Sequence, residues 1–321
     1  KKNWTDETKL KKIIQEIKLK VGNKKVLCAL SGGVDSSVLA HILQKAIKNN
    51  VICVYIDTGL MRRNESEQIA HIYKKKFKKN FIHLNKSHLF IKKLKNIHDP
   101  EKKRKIIGKT FIDIFQSFSK QYNNVDFLAQ GTLYPDVIES QSFSGSPTSI
   151  IKSHHNVGGL PKKIKFTLLE PFREMFKDEV RILGRKMNIS KTILDRHPFP
   201  GPGLAIRILG AVDERKIKIL QHADDIFIKE LKKRNLYKNI WQAFATLLPI
   251  KTVGVMGDSR TYDYVCALRA VTSVDGMTAD YFNFKHSDLS EISSTIVNEV
   301  NGINRVVYDV TSKPPGTIEW E

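Results

Sequence analysis

The sequence predicts an α/β protein: a parallel sheet with helices on both faces, followed by a smaller α+β domain. Three observations carry that expectation. Short apolar runs, of the kind buried on both faces of a sheet, alternate with stretches of helical periodicity. Three of the runs lead into Ser31-Gly32-Gly33, Asp57-Thr58-Gly59 or Gly131-Thr132, as strands do before turning into a helix. The segment His197-Pro198-Phe199-Pro200-Gly201-Pro202-Gly203 then interrupts the pattern with three prolines, and the charge balance changes there.

Residues 6–21 place Leu10, Ile13, Ile14, Ile17 and Val21 at helical spacing, so the chain opens with an amphipathic helix. Val26 to Leu30 reads as a first buried strand, broken by Ser31-Gly32-Gly33, with a helix expected over Asp35–Ile47. Val51 to Ile56 is a second strand ending in Asp57-Thr58-Gly59, and a helix from about Asn64 to Phe77 leads to a third at Phe81–Leu84. Lys109–Gln121 reads as helix and Asp126–Ala129 as a fourth strand ending at Gly131-Thr132. Such an alternation puts ligands at the carboxyl ends of the strands. From Ser140 to Gly159 the chain is polar and aperiodic, long enough to be a functional loop. The expected domains are residues 1–198 and 199–321.

The 321 residues carry a formal net charge of +21. Residues 1–198 hold 39 Lys and Arg against 18 Asp and Glu, whereas residues 199–321 hold 15 of each. A basic chain raises the question of nucleic acid. Lysines outnumber arginines 41 to 13, which weighs against specific phosphate or base-edge readout. Runs such as Lys74-Lys75-Lys76 read plainly as a solvated face. No run approaches the roughly 18 apolar residues of a membrane span, and no secretory h-region follows the basic start. Cys28, Cys53 and Cys266 form neither a disulfide framework nor a CxxC pair, so the expected location is cytoplasmic. The first residue is Lys, which points to a fragment or a processed chain.

Ser31-Gly32-Gly33-Val34-Asp35-Ser36-Ser37 lies between a strand and a helix. Two glycines let the backbone approach an anion, three hydroxyls add donors, and the helix N-terminus aims free N–H groups at the same point. A plain capped turn is the alternative. No GK[ST] follows, so this is no Walker loop. It resembles the SGGxDS pyrophosphate loop of the N-type ATP pyrophosphatases, the adenine nucleotide alpha hydrolase-like fold. That resemblance implies ATP as co-substrate, Mg²⁺ as cofactor with Asp35 as a ligand, and adenylation of a substrate oxygen. It implies ATP contacts at Ser31, Gly32, Gly33, Val34, Asp35, Ser36, Ser37, Asp57 and Gly131.

Longer segments narrow the substrate. Asp57-Thr58-Gly59-Leu60-Met61-Arg62, Lys105 to Gly108, Ala129 to Ser140, Ile151 to Pro161, His197 to Leu204, Gly254 to Arg260 and Lys313 to Glu321 together resemble the GMP synthetase family in order, over essentially the whole chain. The resemblance implies ATP-dependent amination of XMP to GMP through an adenylyl-XMP intermediate, with release of AMP and pyrophosphate. Adenylation makes physical sense, because the amide-like C2 oxygen of xanthine leaves poorly. A reactive intermediate needs shielding from water, and the 140–159 loop is the candidate lid. The family implies that Asp136, Glu139, Lys152, His154 and His155 act catalytically there. It implies an XMP site made by the tail residues Lys313, Thr317, Ile318 and Glu319, with Gln242, Arg305, Asp258, Arg260 and Arg62. Trp241 and Thr58 depart from the family's usual residues beside two of these positions.

Glutamine-dependent members add an amidotransferase with a Cys nucleophile. No nucleophile elbow surrounds the three cysteines, so ammonia is expected from an amidotransferase domain or subunit outside this sequence. The family also implies a homodimer through the C-terminal domain. The rival, a tRNA-modifying ATP pyrophosphatase, lacks suitably placed thiols and an aromatic RNA platform. Neither nucleic acid nor membrane is an expected partner.

Overall fold

A computed structural model describes residues 6–122, 125–134, 166–274 and 276–321. The chain divides into two compact units. The first comprises Lys1–Asp57, Glu67–Lys86 and Arg104–Arg196, and the second Thr58–Ser66, Ser87–Lys103 and His197–Glu321.

In the first unit five parallel strands lie in the order β3-β2-β1-β4-β5: β1 (Lys25–Leu30), β2 (Val51–Asp57), β3 (Phe81–Asn85), β4 (Val125–Ala129) and β5 (Thr167–Leu169). The central strands are the apolar ones, and Val26, Leu27, Cys28, Val51, Cys53 and Val54 are completely buried. Helix α1 (Asp6–Val21) buries Leu10, Ile13, Ile17 and Val21, the stripe its spacing implied. Helices α2 (Val34–Ile47) and α3 (Glu65–Phe77) follow β1 and β2. After β3 a short α4 (Ser87–Leu94) and the first turn of α5 (Pro100–Ser119) belong to the second unit, and the rest of α5 to the first. Helix α5 begins nine residues before the expected Lys109. Pro100 opens it and the Asp99 side chain accepts from Lys102 N at 2.7 Å, a strong start signal outweighed by the run of charges behind it. Helix α6 (Lys177–Lys186) follows β5.

The second unit is a smaller, mainly antiparallel sheet. Long strands β6 (Gln242–Met256) and β7 (Ser259–Thr272) form a hairpin. On the other side of β7 lie the short antiparallel β8 (Asp280–Tyr281) and the parallel β9 (Ile303–Tyr308). Helix α7 (Glu214–Lys233) is capped by Asp213, whose carboxylate accepts from Lys216 N at 2.8 Å. It buries Ile217, Leu220, Ala223, Phe227 and Leu231, and helix α8 (His286–Glu299) buries Ile292 and Ile296.

Cys28 and Cys53 face each other in the β1–β2 register and are buried, as is Cys266 in β7. Burial pushes the Cys266 thiol up to about 12, and the hydrogen bond with Cys28, together with burial, raises that of Cys53. All three are free thiols serving as packing residues.

Candidate functional site

Two constellations emerge, one in each unit. In the first, β1 delivers the chain into the Ser31–Ser37 loop, and α2 starts within it at Val34. Gly32 has φ +76, a left-handed conformation, and a Cβ there would stand 2.3 Å from Ile69 Cδ1. The hydroxyls knit the loop to itself. Ser31 N donates to Ser36 Oγ at 3.2 Å, the Ser31 and Ser36 hydroxyls are 3.0 Å apart, and Gly33 N donates to Ser31 Oγ at 3.3 Å. The Gly33 carbonyl accepts from Ser37 N at 3.1 Å and from Ser37 Oγ at 2.5 Å. This leaves the first N–H groups of α2 pointing outward from the helix end.

Around that turn stand the ends of the neighbouring strands. Gly131, just after β4, packs so tightly on the first turn of α2 that a Cβ would meet the Asp35 carbonyl carbon at 3.2 Å and Ser36 N at 3.3 Å. Asp57 closes β2, with His83 Nε2 4.0 Å from its Oδ2. The expected ATP contacts therefore all belong to one unit, at the carboxyl ends of β1, β2 and β4. Tyr73 and Arg196 were not anticipated. The Tyr73 hydroxyl donates to Ser37 Oγ at 2.5 Å, and Arg196 Nη1 donates to Gly32 O at 2.8 Å. Asp136, Glu139, Lys152, His154 and His155, with the 140–159 lid, lie outside the described residues.

The second constellation is the C-terminal tail, which is held by three fully buried cations. Lys103 Nζ donates to the carbonyls of Ala205 at 3.0 Å and Ile208 at 2.7 Å, and to the Glu321 carboxylate. Arg207 grips Glu319 with both arms, Nε to Oε2 at 3.0 Å and Nη2 to Oε1 at 2.8 Å. Its guanidinium also lies over the rings of Phe199 at 5.0 Å and Phe244 at 4.1 Å. Arg269 donates to the carbonyls of Thr311 at 2.5 Å and Thr317 at 3.2 Å, and pairs with Asp309.

Several expected XMP residues meet at this tail. Gln242 Nε2 donates to Glu319 Oε1 at 2.7 Å, and the Thr317 hydroxyl donates to Glu319 O. Ile318 packs with Phe244, Val271, Ala279 and Trp241. Lys313 exchanges two backbone bonds with Ala279, and its ammonium donates to Gly276 O at 2.8 Å. Both X–Pro bonds that follow, Lys313–Pro314 and Pro314–Pro315, are cis. Arg62 reaches the carbonyl next to Gln242, donating to Ala243 O at 3.0 Å, while Nη1 lies 2.8 Å from the buried Asp224 carboxylate. Three expected residues stand apart. Asp258 and Arg260 are exposed at the tip of the hairpin, whose other end pairs Gln242 with Val271. The strand between spans on the order of 40 Å. Arg305 stands partway along, on β9 beside Val265, its Nε 3.4 Å from Thr252 Oγ1.

His197, at the start of the Pro-rich segment, is locked as a neutral ring. Nε2–H donates to Tyr237 O at 2.8 Å, Nδ1 accepts from Ala243 N at 3.2 Å, and the imidazole stacks on Tyr237 at 3.7 Å. Burial lowers its pKa to about 4, with Arg62's charge acting in the same direction against two raising backbone bonds. Arg207 and Arg269 had a readable signal. Each interrupts an apolar run, Leu204-Ala205-Ile206-Arg207-Ile208-Leu209 and Cys266-Ala267-Leu268-Arg269-Ala270-Val271, and a cation there must be buried and paired.

A parallel sheet with such a loop at the carboxyl end of its central strand defines the class as an α/β domain, and residues 7–106 match the NAD synthase family. Residues 229–320 match the GMP synthase C terminal domain. The chain is thus similar to NAD synthases over residues 7–106 and to the C-terminal domain of GMP synthases over residues 229–320. Over 99% of its length it is 56% identical to the glutamine-hydrolyzing GMP synthase of Ruegeria sp. (strain TM1040). The same enzyme of Roseobacter denitrificans is 56% identical, and that of Sinorhizobium fredii 54%, each over 100% of the chain. The chain spans 61–62% of the length of these relatives. Among the described residues no helix is long and apolar enough to cross a membrane.

Proposed function

We propose that this chain aminates XMP to GMP at the expense of ATP, through an adenylyl-XMP intermediate, releasing AMP and pyrophosphate. The observation that carries this reading is the pairing of an SGGVDSS loop at a strand-to-helix turn with an ordered KPPGTIEWE tail, on a chain 56% identical to GMP synthases throughout. Residues 1–198 serve as the ATP pyrophosphatase domain and residues 199–321 as the XMP-binding and dimerisation domain. The loop Ser31–Ser37 with Asp57 and Gly131 receives the triphosphate, its N–H groups neutralising charge as pyrophosphate departs. The tail residues Lys313, Thr317, Ile318 and Glu319, with Gln242 and Arg62, receive the nucleotide monophosphate. Asp136, Glu139, Lys152, His154 and His155 assist adenylation and close over ATP. Ammonia comes from a glutamine amidotransferase domain or subunit, and the reaction belongs in the cytoplasm.

The chemistry of the loop fits Mg²⁺. Asp35 offers a hard oxygen on the first turn of α2, and among the described residues no group of three His, Cys, Asp or Glu forms a cage. A cation carried chiefly by phosphate oxygens and water needs no more protein than that. When bound, Mg²⁺ neutralises charge on the triphosphate. A homodimer is supported by exposed Val253, Val255 and Tyr262, which share one face of the hairpin. In such a dimer Asp258 and Arg260, remote from the tail of their own chain, come within range of a second copy.

The test is an assay with ATP, Mg²⁺, XMP and ammonium, reading GMP, AMP and pyrophosphate, with glutamine replacing ammonium in parallel. Equal yields of the three products, dependent on XMP, are expected with ammonium. Pyrophosphate release indifferent to XMP would overturn the reading.

A further inference from the structure

Two side chains with no assigned role act on consecutive carbonyls of the phosphate loop. Arg196 Nη1 holds Gly32 O at 2.8 Å. Tyr73 holds Gly33 O through a relay, its hydroxyl donating to Ser37 Oγ at 2.5 Å and Ser37 Oγ donating onward to Gly33 O at 2.5 Å. A trans peptide is planar, with its N–H opposite its C=O. Fixing the Gly32 carbonyl therefore fixes the direction of Gly33 N–H, and fixing the Gly33 carbonyl fixes that of Val34 N–H. Gly32, at φ +76, and Gly33 both lack a Cβ, so the loop could readily rotate its peptide planes there if nothing held them.

We infer that Tyr73 and Arg196 are positioning residues for the departing pyrophosphate: they turn the Gly32 and Gly33 carbonyls away from the anion, which keeps Gly33 N–H on Ser31 Oγ and aims the Val34 N–H group at the anion. The inference rests on the pyrophosphate-loop reading above. Tyr73 is 1% exposed and packs among Phe77, Phe81 and His41, so a phenylalanine fills the same space. Only the hydroxyl distinguishes them, and its partner here is the serine that caps the loop carbonyl. Burial also raises the phenol pKa, so the group stays a donor at any working pH. Donor direction then propagates: with Tyr73 donating to Ser37, the Ser37 proton is left for Gly33 O. Preorganisation of this kind matters because backbone donors that must swing into place lose much of their advantage.

The experiment uses the whole chain with magnesium pyrophosphate as the probe, measured by titration calorimetry, beside steady-state kinetics. Tyr73→Phe should weaken pyrophosphate binding and raise the KM for ATP by about threefold to tenfold, the scale of one neutral hydrogen bond. Arg196→Gln should do so by about tenfold or more, as a charged donor is lost. The KM for XMP and the thermal midpoint should stay close to wild type in both. A merely structural role predicts the reverse, a lowered midpoint with unchanged pyrophosphate affinity in the folded fraction, and that result overturns the inference. Wild-type protein that binds pyrophosphate beside variants that bind it equally well also overturns it, leaving the proposed function standing. Wild-type protein that binds none removes the pyrophosphate-loop reading itself, and the inference with it.

Discussion

The phosphate loop and the C-terminal tail solve the same problem, holding an irregular segment in one shape, with opposite materials. The loop is built from backbone: two glycines, a helix N-terminus and hydroxyls that bond within a few residues of themselves. The tail is built from charge: Lys103, Arg207 and Arg269, each 0% exposed, come from distant parts of the chain to seize its carbonyls and carboxylates. Buried cations are expensive unless fully paired, so the tail's anchors are coupled to the stability of their unit. Backbone donors left outward at a helix end are coupled to whatever anion arrives, and barely to stability. Damage to the tail should therefore be read in unfolding, and damage to the loop in turnover.

The largest effect should come from Arg207→Met. It strands the Glu319 carboxylate beside Gln242 and empties the space over Phe199 and Phe244, for a loss of about 3 kcal/mol or more, measured by denaturant unfolding. Adding Glu319→Met should return part of that loss, since an apolar pair replaces a half-buried charge without its partner. A single variant within about 0.5 kcal/mol of wild type would erase the contrast.

Next in size is an acid response in the second unit. His197 titrates at about 4 when folded against 6.5 for the free side chain. Its folded pKa is depressed, so the unfolded chain binds the extra proton first. Stability is fully present above about 6.5 and declines as pH falls toward 4, by up to about 3 kcal/mol. Protonation would also break the bond that Nδ1 accepts from Ala243 N. Chevron or equilibrium unfolding between pH 7 and 4 should show the decline, and His197→Gln should flatten it. An unchanged slope in that variant assigns the acid loss to other groups.

The loop side of the contrast is tested by Gly32→Ala. A left-handed φ costs an L-residue about 1–2 kcal/mol, and the new methyl meets the far end of Ile69, which must shift, and touches Arg196 Nη1 at 3.5 Å. Stability should fall by no more than that, while XMP-dependent pyrophosphate release falls by about a hundredfold, because the donors no longer converge. A stability loss as large as that of Arg207→Met, with turnover preserved in the folded fraction, would reverse the assignment of roles.

How much of this was legible in the sequence follows the same division. Local signals were readable: the period of α1, the apolar β1 and β2, and the Ser31–Ser37 turn all depend on neighbours in the chain. Even the start of α5 was written at Asp99-Pro100, and was obscured only by charges that read as surface. The partners of the tail's anchors were not, although the apolar runs around Arg207 and Arg269 marked those two cations as buried. Arg207 and Glu319 are 112 positions apart, and Lys103 and Glu321 are 218 apart. Nothing local marks Lys103, within Lys102-Lys103-Arg104, as the buried one. The relay from Tyr73 to Ser37 has the same character, 36 residues apart and made only where α3 meets α2.

The smallest expected effect lies at a third place, belonging to neither material. Asp258 and Arg260 are exposed at the hairpin tip, without the buried partners that Gln242 and Glu319 have. Exposed side chains of this kind rarely contribute more than about 0.5 kcal/mol to stability. Asp258→Ala and Arg260→Ala should therefore leave unfolding unchanged. If the hairpin tip serves a nucleotide on a second copy, the same substitutions should raise the KM for XMP while leaving that for ATP alone. Mixing each variant with the tail variant Glu319→Ala separates the cases. At an XMP concentration too low for either variant alone, two chains that regain turnover together must each supply what the other lacks, one the tip and one the tail. Turnover that stays at the sum of the two separate chains confines each site to its own copy.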